Sequence, residues 1–215
     1  MEQIIFDNVT PAPLVGVTRL SSQIWQTNLV LEQGKCYLVS AASGKGKSTF
    51  VGIVYGLRHD YEGTATYGGH HLKKQTLGWW ADYRQEKVSI VFQDLRLFPH
   101  LTALENILVK ANLYSKTPDI QHITAMTDAL SVTHLLEKKA NTFSYGERQR
   151  IAIIRALAQP FQWLLLDEPF SHLDEKNIQA AAQLIEQECS KRKAGWVMAS
   201  LSDAYGMNCD QVLYL

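Results

Sequence analysis

A chain of 215 residues that is 46% hydrophobic can bury one sizeable core. Lys and Arg together number 21, as do Asp and Glu, so the formal net charge is zero; no basic stripe offers itself to a phosphate backbone, and nucleic acid is not an expected partner. No uncharged apolar run approaches the ~18 residues that cross a bilayer, and Met1-Glu2-Gln3 lacks a basic start followed by an apolar stretch, so a membrane role needs a separate partner.

In chain order, residues 4–9, 24–31 and 64–67 read as strands of a small β layer, with Thr10 to Gly16 as a turn around Pro11 and Pro13 and with Gly68-Gly69 as a hairpin turn. Residues 36–40, 88–92, 163–166, 196–199 and 211–215 read as parallel strands that alternate with helices, an α/β arrangement. A helix is expected over 49–57. From Gln93 to Asn141 the chain turns helical, with Thr117 as N-cap and Pro118 in the first turn. Phe6 and Trp25 read as strand core, and Trp79-Trp80 as a half-buried aromatic pair. Cys36, Cys189 and Cys209 make neither a CxxC pair nor an even set, as expected of core packing in a reducing compartment.

Three segments carry chemistry. Ala41-Ala42-Ser43-Gly44-Lys45-Gly46-Lys47-Ser48-Thr49 joins a strand to a helix. Its glycines let backbone N–H groups turn onto a phosphate, Lys47 neutralises the outer phosphates, and the Ser48 hydroxyl is placed for Mg²⁺. Ala41 stands where a first glycine is usual, which is harmless if its φ is negative. Trp163-Leu164-Leu165-Leu166-Asp167-Glu168-Pro169 reads as a buried strand ending in two carboxylates, at the sheet edge where open α/β folds bind ligands. There Asp167 can hold Mg²⁺ and Glu168 can polarise a water. In Phe143-Ser144-Tyr145-Gly146-Glu147-Arg148-Gln149-Arg150, Ser144 and Glu147 form a capping box, so a helix should begin here and run to just before Pro160. Its N-terminus offers free N–H groups to an anion, although an ordinary capped helix shows the same pattern.

The order of these segments, with Gln93 after an apolar strand and Ser171-His172-Leu173-Asp174 after the acidic pair, resembles the ATP-binding subunit of an ATP-binding cassette (ABC) transporter. Tyr83 to Gln93 and Leu97 to Asn106 are most similar to the lipoprotein-release, macrolide-exporter and cell-division branch. The resemblance implies a phosphate-loop nucleotide-hydrolase core with a mainly parallel sheet flanked by helices, a small antiparallel β layer and an inserted helical subdomain at about 98–158. It implies a single nucleotide-binding domain that pairs head to tail with a second copy or a related subunit. ATP on Ser43, Gly44, Lys45, Gly46, Lys47, Ser48 and Thr49 would be closed by Ser144, Gly146 and Glu147 of the other subunit. By the same resemblance, Mg²⁺ sits at Ser48, Gln93 and Asp167, Gln93 senses the γ-phosphate, Glu168 is the general base, and Asp174 lines the dimer interface. The segment from Phe98 to Asn106 would receive a membrane permease, holding the chain on the cytoplasmic face of the membrane.

Departures from the family's pattern imply slow turnover. Tyr145 replaces a signature glycine. No histidine follows His172, so the place of the switch histidine falls on Ser200 or Leu201, and a positioned donor of that kind is worth ~10²–10³ in rate. No aromatic lies between Phe6 and Trp25 to stack on adenine. Two other readings therefore stand beside the transport ATPase: an ATP-gated regulatory module with little hydrolysis, and a degenerate half of a heterodimer.

Overall fold

The computed structural model describes residues 2–17, 20–42, 44–115, 117–201 and 203–215. Its strands are β1 (Ile4–Pro11), β2 (Asn28–Leu31), β3 (Cys36–Ser40), β4 (Tyr61–Tyr67), β5 (His70–His71), β6 (Val88–Val91), β7 (Trp163–Asp167), β8 (Gly195–Ser200) and β9 (Gln211–Tyr214). Its α-helices are α1 (Lys47–Val54), α2 (Leu77–Glu86), α3 (Ala103–Tyr114), α4 (Ile120–Ala129), α5 (Tyr145–Leu157) and α6 (Glu175–Arg192).

Five strands pair in the order β6-β7-β8-β3-β9, every pair parallel. Parallel sheets are covered on both faces, so their strands read as continuous apolar runs; β7 and β8 are buried at every position. The register sets Asp167 beside Ala199 and Ser40 beside Ser200. The loops that leave β3, β6, β7 and β8 therefore emerge along one edge of the sheet.

Strands β2-β1-β4-β5 form an antiparallel layer, with Ile4 and Phe6 of β1 buried and a register shift between Asp7 and Thr10. Phe6, Trp25 and Phe50 pack ring to ring at 5.0 to 6.3 Å between centroids and fasten this layer to α1. Both expected core aromatics are buried, Phe6 at 0% and Trp25 at 2% exposure. Trp80 is buried while Trp79 is half-buried and stacks on Tyr83 with 13° between planes. The three cysteines are free thiols, with Cys189 buried among apolar side chains.

Several elements differ from the sequence expectation: β1 runs on through Thr10 and Pro11, expected as part of a turn, and β4 begins at Tyr61 rather than 64, because Thr10 and Pro11 pair with Glu62 and Tyr61. The second strand starts at Asn28 rather than 24, because the Ser22 hydroxyl accepts the N–H groups of Ile24 and Trp25 and Gln26 takes a left-handed φ of 58°. Helix α1 stops at Val54, since Gly56 turns the chain at φ 76° against the Trp80 ring, 2.3 Å from where a Cβ would stand. The helix after 117 is capped by Asp119, whose carboxylate accepts the His122 N–H at 2.9 Å, instead of by Thr117. Among the described residues, no helix is long and apolar enough to cross a membrane.

Candidate nucleotide site

The loop between β3 and α1 needs its glycines. Gly44 and Gly46 sit at φ 78° and 99°, a left-handed region where a Cβ is strained. Behind Gly46 the Trp25 indole lies 3.3 Å from where a Cβ would be. Ala41 is not among the left-handed residues, so its methyl is tolerated. Ser43 lies outside the described residues. Lys47 is 5% exposed. Its Nζ donates to the carbonyl oxygens of Ala41 at 2.7 Å and Ala42 at 3.3 Å and stands 3.5 Å from Oε1 of Glu168.

A cavity of about 230 Å³ opens over this loop, lined by Gly44, Lys47, Ser48, Thr49, Gln93 and Glu168. A second, of about 490 Å³, shares Ser48 and Gln93 and adds Asp167 and Tyr145. Lys47, Ser48, Gln93, Asp167 and Glu168, all expected from sequence to act together, thus meet at two cavities with common walls. Past the loop, on the side of the antiparallel layer, lies a third hollow of about 530 Å³ lined by Pro13, Leu14, Leu20, Trp25 and Leu215 as well as Gly46. Ser21, Ser22, Lys45 and Thr49 add polar groups to its walls. The sequence gives no sign of it, because the residues come from three distant stretches.

The two carboxylates have different surroundings. Asp167 ends β7 at 7% exposure, with Oδ1 buried and without a hydrogen-bond partner. Burial pushes its carboxyl above the usual range, opposed by a bond from the Ser48 hydroxyl, and the neighbouring Glu168 adds to the rise. A carboxylate oxygen orphaned beside a hydroxyl and an amide oxygen is a hard-oxygen donor set, which suits a small divalent cation. Glu168 leaves the strand with φ 48°, anchored by its N–H to the Ala199 carbonyl at 2.9 Å. That turn swings its side chain across to Lys47 instead of continuing along the sheet.

Gln93 is exposed at the end of β6. Leu95 and Arg96 follow in consecutive left-handed conformations, and the Arg155 guanidinium of α5 donates to both of their carbonyl oxygens. Sequence reading missed Arg155, which looks like one more polar residue on an amphipathic helix, yet it is 7% exposed.

At the start of α5 the expected capping box is present. Ser144 accepts the Glu147 N–H at 3.3 Å, while its own N–H and hydroxyl donate to Glu147 Oε2, each at 2.8 Å. These bonds hold the Glu147 carboxyl below its ordinary range. A Cβ on Gly146 would come 3.2 Å from the His172 carbonyl oxygen, so the chain's own fold favours glycine there. Among the described residues, no hydrogen bond or ion pair joins Ser144, Gly146 or Glu147 to the loop bearing Lys47. Asp174 caps α6 by accepting the Asn177 N–H at 2.8 Å.

Ser200, the last residue of β8, is buried, and Leu201 beyond it is 54% exposed. The segment 98–106 is knotted by the buried Asn106, whose amide donates to the carbonyls of Phe98, Leu101 and Thr102 and whose Oδ1 accepts the Phe98 N–H. The knot leaves the Phe98 ring 50% exposed.

Comparison with known proteins gives a consistent result. A family model described as "ABC transporter" matches residues 24–171. The chain is 33% identical over 164 residues to the molybdenum import ATP-binding protein ModC of Vibrio parahaemolyticus, covering 76% of this chain but only 44% of that protein's length. It is 29% identical to the lipoprotein-releasing system ATP-binding protein LolD of Saccharophagus degradans, over 80% of this chain and 77% of the relative. The thiamine import ATP-binding protein ThiQ of Jannaschia sp. is also 29% identical, over 92% and 85%. Among solved structures, the dimeric bacterial ABC transporter cassette MJ0796 superposes with a TM-score of 0.84 at 26% identity, covering 99% of this chain and 94% of that one. A dimeric post-hydrolysis state of the same cassette, bound to ADP and Pi, gives 0.83 at 25%, with the same coverage.

Proposed function

The chain belongs to the ABC transporter family, and we propose that it is an ATPase cassette that dimerises around ATP and drives a separate membrane permease with a slow hydrolytic cycle, a reading supported by its likeness to dimeric cassette structures. The observation that carries this reading is the meeting of Lys47, Ser48, Gln93, Asp167 and Glu168 at adjoining cavities.

In this reading the phosphates lie on the N–H groups of the loop at 43–49 and at the N-terminus of α1, where the helix dipole favours negative charge. They draw Lys47 away from the Ala41 and Ala42 carbonyls. Separating Lys47 from Glu168 frees that carboxylate to accept a proton from water. The base enters the hollow past Gly46, where Pro13, Leu14, Leu20 and Leu215 supply apolar contact. Ser48, Gln93 and Asp167 would hold Mg²⁺, and a bound Mg²⁺ neutralises charge developing on the transferred phosphoryl group. Ser144, Gly146 and Glu147 have no role toward their own loop and are read as closing the second subunit's nucleotide. The helices from 98 to 158 form the subdomain that presents Phe98 to the permease at the cytoplasmic face.

The test is ATP turnover by purified protein with and without its co-purifying membrane partner. Turnover that is abolished by Glu168→Gln, together with ATP-dependent dimerisation, supports the reading; hydrolysis insensitive to that change refutes it.

A further inference from the structure

The segment that carries Gln93 is bound to α5 at both of its ends. At the far end Arg155, in the last turn of α5, donates to the carbonyls of Leu95 and Arg96. Those two residues stand at φ 59° and 48°, strained conformations that persist only when the surroundings hold them. At the near end the Tyr145 hydroxyl, from the first residue of α5, donates to the Gln93 carbonyl oxygen at 3.2 Å.

Tyr145 is itself held. Its ring centroid lies 4.0 Å from that of the His172 imidazole, and the Arg148 guanidinium stands 5.3 Å away over the ring. His172 is fixed by a 2.8 Å contact between its Nδ1 and the Ser171 hydroxyl and by its N–H, which donates to Gln149 Oε1 at 3.2 Å. The buried Gln149 amide in turn donates to the Glu168 carbonyl at 3.4 Å. The ring where a glycine is expected therefore turns inward along its own chain, toward the wall of the cavity it shares with Ser48, Gln93 and Asp167.

We infer that Tyr145 is a positioning residue for Gln93, its hydroxyl fixing the backbone from which the Gln93 amide reaches the cation position beside Ser48 and Asp167. This rests on the reading of Gln93 as a cation-side group. Arg155 constrains only the loop beyond Gln93, so without the hydroxyl on its carbonyl the Gln93 backbone is free to shift and carry the side-chain amide away from the cavity. Losing one neutral hydrogen bond corresponds to about a three- to tenfold loss of the cation's contribution.

The experiment measures, by calorimetry, the affinity of a non-hydrolysable ATP analogue in Mg²⁺ and in EDTA for the parent, Tyr145→Phe and Gln93→Ala. Tyr145→Phe keeps the ring on His172 and removes only the hydroxyl. It is expected to reduce the ratio of Mg²⁺ to EDTA affinity by about three- to tenfold, with EDTA affinity and melting temperature unchanged. A Phe variant with the parent's ratio, beside a Gln93→Ala variant with a reduced one, would overturn the inference and leave the Gln93 reading standing. An unchanged ratio in Gln93→Ala would refute that reading and the inference with it. Equal loss in Mg²⁺ and EDTA would show a merely structural tyrosine and also overturn it.

Discussion

Lys47 Nζ stands 3.5 Å from Oε1 of Glu168, so the cation meant for phosphate and the carboxylate meant for water face each other across the 230 Å³ cavity. With the Ala41 and Ala42 carbonyls completing its contacts, Lys47 is held by three acceptors that a phosphate must replace. Hydrogen bonds to charged groups are worth about 1.5–3 kcal/mol, so Lys47→Ala is predicted to weaken ATP binding by about 10- to 100-fold. Calorimetric titration reads this directly; an affinity within twofold of the parent would remove Lys47 from the phosphate site.

Glu168→Gln keeps the shape of the side chain and the N–H bond to Ala199 while removing the capacity to take a proton. Turnover should fall by about 10²–10⁴ with ATP binding retained, and the ATP-bound dimer should accumulate because it no longer resolves. Light scattering after gel filtration in ATP checks the second part. Loss of ATP binding along with turnover would instead assign Glu168 to holding Lys47 in place.

Much of this site is legible along the chain because each piece is local. Gly-Lys-Ser after a strand, two acids ending an apolar run, and Ser144 three residues before Glu147 are patterns whose geometry follows from one strand or one helix turn. The capping box appears as expected. What stayed hidden depends on distant partners. Arg155 gains its role from left-handed carbonyls 60 residues away, and the hollow past Gly46 joins Leu14, Leu20 and Leu215. The strand expected from 24 failed because the Ser22 hydroxyl competes for the backbone N–H groups there. Thr117-Pro118 lost its cap to Asp119, a carboxylate that binds a helix N-terminus at least as well.

Asp167→Asn is predicted to stabilise the nucleotide-free protein. Burial raises the Asp167 carboxyl above its usual range, so between the unfolded and folded values the folded chain binds the extra proton, and stability falls as pH rises through that window. Above that window the whole cost is present. Removing the charge should raise the melting temperature, by about 2–4 °C for each 1 kcal/mol of that cost in a chain of this size, and abolish the gain that Mg²⁺ adds to ATP binding. Scanning calorimetry at pH 7.5 decides it: a lowered midpoint would mean that Asp167 is worth more as a hydrogen-bond acceptor for Ser48 than it costs as a buried charge.

Glu188 shows the opposite sign, on an element far from the cavities. It is 1% exposed on α6 and meets Lys191 at 2.8 Å and His122 of α4 at 3.0 Å, together with the Arg192 guanidinium. Burial alone would raise its carboxyl, but the bonds from Lys191 and Arg192 and the charges of Arg192 and His122 outweigh it and bring the value down to about 2. A depressed folded value means that the stabilisation is complete above the ordinary glutamate range, about 4.3, and is lost as pH falls from there toward 2. Breaking a buried pair costs about 3–5 kcal/mol. Lys191 is 62% exposed and can return to solvent, so Glu188→Gln should cost nearer 2–3 kcal/mol at pH 7. Urea unfolding of both proteins at pH 7, 4 and 2.5 should show the difference shrinking at the lowest pH, because the unfolded parent takes up a proton there that the folded parent still resists. A gap that stayed constant to pH 2.5 would show that the α4–α6 contact depends on the shape of the side chain and not on its charge.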